Sequence, residues 1–377
     1  MKTTCAVLYE MEKPSPYADS NPLAIETVEL EGPGQGEVLV EISSAGLCHS
    51  DLSVINGSRP RGLPLVMGHE ASGVVKETGS GVTAFTPGDH VVFSFVPICG
   101  QCGSCMSGRA VLCENGAKAN AEGRLLSGAK RFRGTKNAEL NHHLGVSAFS
   151  QYTVAAQESL VKIDKSLPLE KASLFGCAVM TGVGAALNTA DIRPGDSAVV
   201  FGLGGVGLSA VLGAKVAGAT PLIAVDVLDA KLQLAESLGA THTINALKED
   251  PVAAVRDITG GGADYAFESV GNEKVLIQAY QATGRGATTV TIGLPHPSKQ
   301  FTIPAVSLVA EERTVKGSYM GSAVPRRDIP RYIALYQDGK LPVDKLLSDS
   351  IKLEDINAAF DRLDKGEAVR QVIGFKN

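Results

Sequence analysis

The spacing of apolar and polar positions changes partway along the chain. In the first half, short β-type runs are closed off by turns: EVLVEISSAG (37–46), ASGVVKETGSG (71–81) and, after the turn PGD at 87–89, HVVFSFV (90–96). Runs of this length, rich in branched and aromatic residues and bounded by Gly, Pro and Asp, predict a strand-rich unit. From about residue 195, strand-like and helix-like segments alternate: SAVVFG, a helix to about Ala217, LIAVDV, AKLQLAESLGA, ADYAFESVG, EKVLIQAYQATG and ATTVTIG. That alternation predicts right-handed crossovers and a parallel sheet, so the chain reads as α/β. Beyond Lys316 helices are expected at RRDIPRYIALYQDG and LEDINAAFDRLDKG and a last strand at AVRQVIGF, the tail rejoining the first unit. Gly116 to Gly145 is polar and irregular, which predicts a long excursion or a lid.

A length of 377 residues exceeds the roughly 250–300 at which single cores stop growing, so two domains are expected. Apolar residues at 44% and charged ones at 20% suit a soluble globular protein, and a net charge of -5 spread along the chain offers no field for nucleic acid or an anionic membrane. SAVVFGLGGVGLSAVLGA (197–214) carries no charge, but its glycines mark a strand turning into a helix rather than a membrane span. MKTTCAVLYEMEK has no apolar run before its first acidic residues, so a cytoplasmic, reducing location is expected.

GLGGVG places Gly202, Leu203, Gly204, Gly205, Val206 and Gly207 after an apolar strand and at the mouth of a helix, the context that gives G-x-G-x-x-G its meaning. Glycines there let the backbone approach a pyrophosphate, whose charge sits on the helix N-terminus. Asp226 ends the next strand 24 positions after Gly202, where its carboxylate can accept hydrogen bonds from a ribose and repel a 2'-phosphate. NAD is therefore expected over NADP, with Lys231 near the same ribose.

Four of the seven cysteines fall in CGQCGSCMSGRAVLC. Cys99, Cys102, Cys105 and Cys113 have the spacing C-x2-C-x2-C-x7-C, short enough to wrap one ion. Zinc suits four thiolates; an iron–sulfur cluster is the rival, and disulfides are disfavoured in a reducing compartment. A closed four-thiolate site has no open position, so its role is structural. A second set is scattered: Cys48 in GLCHSDL, His69 in GHE and Cys177 in FGCAVMTG offer two thiolates and one imidazole, a set that can leave a fourth metal position open. Separately each is ordinary, and a lone buried cysteine is usually core.

In this order, GLCHSDL, GHEASGVV, the four-cysteine lobe, FGCAVMTG, GLGGVG and AVRQVIGF resemble the zinc-dependent medium-chain alcohol dehydrogenases over nearly the whole chain. The resemblance implies a GroES-like β-rich catalytic domain (1–178 and 322–377, with a structural zinc lobe at 95–115), a Rossmann doubly wound domain (179–321), and active sites in the cleft between them. It implies Cys48, His69 and Cys177 as catalytic zinc ligands and the other four cysteines as structural ones, two zinc ions per chain. It further implies Asp51 as the carboxylate orienting His69, Glu70 as an acidic neighbour of the metal, His49 and Arg370 at the cofactor pyrophosphate, and Thr181 near the nicotinamide.

The activity implied is reversible oxidation of primary or aromatic alcohols to aldehydes, with zinc as Lewis acid, NAD as hydride acceptor and Ser50 as first proton acceptor. Ser53 departs from the pattern, since many relatives carry there a histidine that ends the proton relay. Phe95, Leu294 and Tyr319 match pocket-wall positions. His143, Arg59 and Arg61 are unexpected, and six basic residues against one acidic lie between Lys118 and Lys136. An anionic substrate such as a thiol adduct of formaldehyde would explain them, which makes S-(hydroxymethyl)glutathione (formaldehyde) dehydrogenase the alternative activity; a solvated charged rim is the simpler explanation. A zinc- or NAD-loaded scaffold without catalysis is the rival from another class. The expected partners are a small alcohol or aldehyde and further copies of the chain, as a homodimer or homotetramer joined near residues 290–320.

Overall fold

Sheet type changes where the sequence period changes. The structure, a computed structural model, describes residues 1–375. Two units separate: Met1–Cys177 with Val324–Ile333 and 344–375, and Ala178–Ala323 with Ala334–Val343. The segment Ala334–Val343 groups with the second unit rather than with the tail that was expected to rejoin the first, because the helix Pro325–Gln337 runs across the boundary instead of ending at it.

In the first unit a closed barrel orders Lys2–Leu8, Leu23–Leu30, Phe132–Arg133, Glu139–His142 and Leu65–Val66, and a second sheet centres on the long strand Glu37–Gly46. That strand pairs with Glu70–Thr78, Tyr152–Ala156 and the late strand Arg370–Gly374. The late strand thus returns Arg370 to the residues around Gly46. Cys5, Val7, Val28, Leu30, Val66, Phe132 and Leu140 of the barrel form one buried core with Leu39 and Val154 of the second sheet and Leu125 from a turn.

The polar stretch from Gly116 to Gly145 is not a lid. It contributes the helix Glu114–Ala121 and two of the barrel strands, with Phe132 and Leu140 buried inside. Its polarity comes from the outward positions, where basic side chains pair with acids: Arg131 with Glu37 (2.7 Å) and Glu31 (3.5 Å), Arg133 with Glu31 (2.9 Å), Lys130 with Glu139 (3.6 Å) and Arg124 with Glu122 (3.9 Å).

The second unit is a six-stranded parallel sheet, ordered His242–Asn245, Leu222–Asp226, Ala198–Phe201, Ala263–Glu268, Thr283–Thr291 and Thr314–Gly317. Its strands are buried on both faces, which is why SAVVFG reads as a continuous apolar run. Strand order reverses between Ala198–Phe201 and Ala263–Glu268, the point at which such sheets take ligands. The first crossover helix is Gly205–Ala217, and Asp250 and Asn272 cap two others, Pro251–Thr259 and Glu273–Gln281, through their side chains. Among the described residues no single helix is long and apolar enough to cross a membrane.

Candidate functional site

Three loops of the first unit converge on one buried cluster. Cys48 is the N-cap of the short helix His49–Ile55, which also carries Ser50, Asp51 and Ser53. His69 and Glu70 follow the two-residue strand Leu65–Val66, Glu70 opening the strand to Thr78. Cys177 ends the 3-10 turn Leu174–Gly176. The ligand atoms of Cys48, His69, Glu70 and Cys177 all lie within 4.8 Å of one another, every residue buried.

His69 Nε2 is 3.4 Å from Cys177 Sγ, and behind it His69 Nδ1 donates to Asp51 Oδ1 at 2.9 Å. That bond fixes the tautomer that presents Nε2 forward as a donor atom. Tetrahedral zinc, with Zn–S near 2.3 Å and Zn–N near 2.05 Å, sets nitrogen and sulfur ligands about 3.6 Å apart, so the donor set and its spacing fit that ion. Hydrogen bonding to Cys177 holds Cys48 well below the usual thiol value, while the same bond and burial push Cys177 well above it. Both thiols must lose their protons before a metal can bind. Glu70, pushed up by burial, is met by the Arg370 guanidinium through Nη2. Gly46 makes room for that pair, since a Cβ there would stand 2.7 Å from Glu70 Oε1.

Cys99, Cys102, Cys105 and Cys113 form a second cluster within the same 4.8 Å limit. All seven cysteines are free. Cys102 and Cys113 sulfurs are 4.0 Å apart, against about 3.8 Å for two zinc-bound thiolates and about 2.05 Å for a disulfide. The backbone N–H of Cys99 and Gly116 donates to Cys113 Sγ, and Asn115 Nδ2 to Cys99 Sγ. Against desolvation, which raises it, the backbone N–H groups of Gln101 and Cys102 bring Cys99 down to about 6, the thiolate form a metal needs.

In the second unit Gly202 has φ +87° and a Cβ on Gly207 would sit 1.8 Å from the Gly202 carbonyl oxygen, so the strand-to-helix turn closes only with glycine there. At Gly204 a Cβ would meet nothing within 4 Å. That open side, at the N-terminus of Gly205–Ala217, fits a pyrophosphate. Asp226 ends its strand and accepts backbone N–H groups of Leu203 (2.7 Å), Val227 (2.8 Å) and Leu228 (3.1 Å), which keeps its carboxylate facing the turn. Lys231 is half-buried nearby in sequence on the helix Asp229–Leu238, and Thr181 is half-buried on the helix Ala178–Gly184.

The remaining candidate residues have varied surroundings. Arg370 is 3% exposed and engaged by Glu70, and His49 is exposed. Ser50 is half-buried, while Ser53 donates its hydroxyl to the His49 carbonyl at 2.8 Å, a bond internal to the helix. Phe95 packs edge-on against His69, ring centroids 5.2 Å apart. Leu294 and Tyr319 belong to the second unit and are 52% and 40% exposed. His143 is not a rim residue: it is 1% exposed, with Nδ1 3.2 Å from Asp51 Oδ1. Nothing in ELNHHLG signals that contact, which depends on barrel closure.

Comparison with known proteins agrees with this geometry. Residues 34–165 match the family profile described as "Alcohol dehydrogenase GroES-like domain" and residues 205–338 the one described as "Zinc-binding dehydrogenase". The chain is 39% identical to the S-(hydroxymethyl)glutathione dehydrogenase of Paracoccus denitrificans, over 99% of this chain and 100% of that protein. It is 42% identical to the NDMA-dependent alcohol dehydrogenase of Amycolatopsis methanolica, over 99% of each. The crystal structure of benzyl alcohol dehydrogenase from Acinetobacter calcoaceticus superposes with a TM-score of 0.92 at 34% identity, covering 100% of both chains. A GroES-like unit, a Rossmann-like unit, and relatives that match from end to end make the chain an oxidoreductase that belongs to the zinc-dependent alcohol dehydrogenases of the medium-chain dehydrogenase/reductase superfamily.

Proposed function

We propose that the chain oxidises primary or aromatic alcohols with NAD and reduces the corresponding aldehydes: R–CH2OH + NAD+ gives R–CHO + NADH + H+. The observation that carries the reading is the convergence of Cys48, His69 and Cys177, with Asp51 bonded behind His69. Zinc held by those three residues supplies a Lewis acid for the substrate oxygen, and NAD supplies the hydride acceptor. Asp51 holds the His69 ring in register, and Arg370 balances Glu70. Ser50, on the first turn after Cys48, takes the alcohol proton. The Ser53 hydroxyl is committed to the His49 carbonyl and is no base near neutral pH, so the proton leaves by another route.

The turn Gly202–Gly207 cradles the pyrophosphate, Asp226 and Lys231 hold the ribose, and Thr181 stands by the nicotinamide. The four-cysteine cluster holds a second, structural zinc. Free thiols throughout suit a reducing cytoplasm. The exposed Val306 (71%) and Val309 (82%), within residues 290–320, suit a homodimer or homotetramer contact.

The relative from Paracoccus favours S-(hydroxymethyl)glutathione as a second substrate. Against it, four of the six basic residues between 118 and 136 are already paired with carboxylates. An NADH-linked assay of benzyl alcohol, aliphatic alcohols and S-(hydroxymethyl)glutathione on metal-analysed protein tests the reading. Turnover of the alcohols with two zinc ions per chain is expected. Strong preference for the glutathione adduct would replace the first substrate class with the second, and two zinc ions without turnover of any of them would leave a binding protein.

A further inference from the structure

The Asp51 carboxylate is wholly buried, and two imidazoles reach the same oxygen. His69 Nδ1 is 2.9 Å and His143 Nδ1 3.2 Å from Asp51 Oδ1, while Oδ2 has no hydrogen-bond partner among the described residues. His69 Nδ1 donates to that oxygen, which sets its tautomer, while His143 Nδ1 stands against the same oxygen without an aligned hydrogen bond. The rings of His69 and His143 meet edge-on, with centroids 5.7 Å apart and planes at 80°.

The fold fastens this arrangement from three sides. The strands Leu65–Val66 and Glu139–His142 pair in parallel with Val66 opposite His142, so each histidine follows the end of one paired strand. The His143 N–H donates to Ser147 Oγ at 2.9 Å, and Ser147 Oγ donates to the Val66 carbonyl at 2.8 Å. His143 is thereby tied to the strand that leads into His69. Asp51 comes from a third element, the helix capped by Cys48. A carboxylate held at one oxygen by one donor can swing; with that bond on one side and the His143 ring edge 3.2 Å away on the other, from a separate element, it cannot, and the His69 ring is fixed with it.

We infer that His143 is a positioning residue, a second imidazole that clamps Asp51 and so keeps His69 aligned with the other two metal-binding side chains. The inference rests on the proposed zinc-binding role of Cys48, His69 and Cys177. It assigns His143 to metal retention, not to a substrate tail.

The test is zinc release from the loaded full-length protein to 4-(2-pyridylazo)resorcinol, comparing wild type with His143→Asn, His143→Gln and His143→Phe. An asparagine amide nitrogen falls near the place of Nδ1, a glutamine one near Nε2, and phenylalanine keeps a ring without a donor. The expected result is wild-type release from His143→Asn and about tenfold faster release of one zinc from His143→Gln and His143→Phe. The second zinc should leave all four proteins at one rate, which reports an intact fold. If His143→Phe does not fold, the contrast between Asn and Gln decides. Two zinc ions per chain released alike by wild type and every variant would overturn the role of His143 alone. A wild type that loads only one zinc would overturn the proposed ligand set together with it.

Discussion

Acid should weaken this protein through His142. Its ring is 1% exposed and lies tilted at 52° against Phe132 with centroids 5.0 Å apart, and its Nε2 accepts the Arg131 backbone N–H at 3.1 Å. Burial, then the cations Arg131, Lys130 and Arg133, bring it from 6.5 down to about 3. The unfolded chain protonates this residue near 6.5 while the folded chain does not. Its contribution to stability is therefore complete above pH 6.5 and is lost as pH falls from there toward about 3. One proton corresponds to about 1.36 kcal/mol per pH unit, so the loss at pH 5 is about 2 kcal/mol. For a unit of this size that is a fall of about 4–8 °C in Tm. His142→Gln keeps an acceptor near the Nε2 position and removes the titration. Thermal unfolding of both proteins at pH 7.5 and pH 5 should give the wild type the larger drop by about that amount. Equal drops, or a His142 ring titrating near 6.5 by NMR, would refute the reasoning.

Asp51→Asn removes the charge between two imidazoles and puts an amide N–H where no acceptor waits, so zinc affinity at one of two sites should fall by about 10–100-fold in a chelator competition. Gly207→Ala forces a methyl group against the Gly202 carbonyl; a loss of about 1–3 kcal/mol in unfolding and a weakened NAD complex in titration calorimetry are expected. Ser53→His introduces a base that can take a proton near neutral pH and should shift the pH profile of turnover; an unchanged profile speaks against a relay passing this position. Cys113→Ala should lower zinc content by one per chain in metal analysis while Cys48, His69 and Cys177 keep theirs.

Features set by neighbours in sequence were legible in the residues. The turn GLGGVG and the helix that follows it were readable because a strand, a glycine turn and a helix N-terminus are consecutive, and the helix ends at Ala217 as its period predicts. The four-cysteine lobe was readable for the same reason. The strand His242–Asn245 and the helix after it were not expected, since THTIN is short and mixes polar with apolar positions at a sheet edge. The barrel strand Lys2–Leu8 was missed because its partners Leu23–Leu30 and Leu65–Val66 lie further along the chain, and Phe132–Arg133 because two residues are too few to show a period. His143 shows the limit most clearly: its type suggested a polar pocket rim, and its contact is with a buried carboxylate.

The sequence by itself determined the donor types, the glycine turn, the acidic strand end and the division into a strand-rich and an alternating unit, because each depends on residues within one turn or one crossover. Tertiary structure alone decided that His143 and His69 share the Asp51 carboxylate, that Arg370 reaches Glu70, and that the basic run 118–136 is largely paired with acids. Those contacts follow from strand pairing between distant segments, and their register is fixed by packing of the whole sheet rather than by any local pattern.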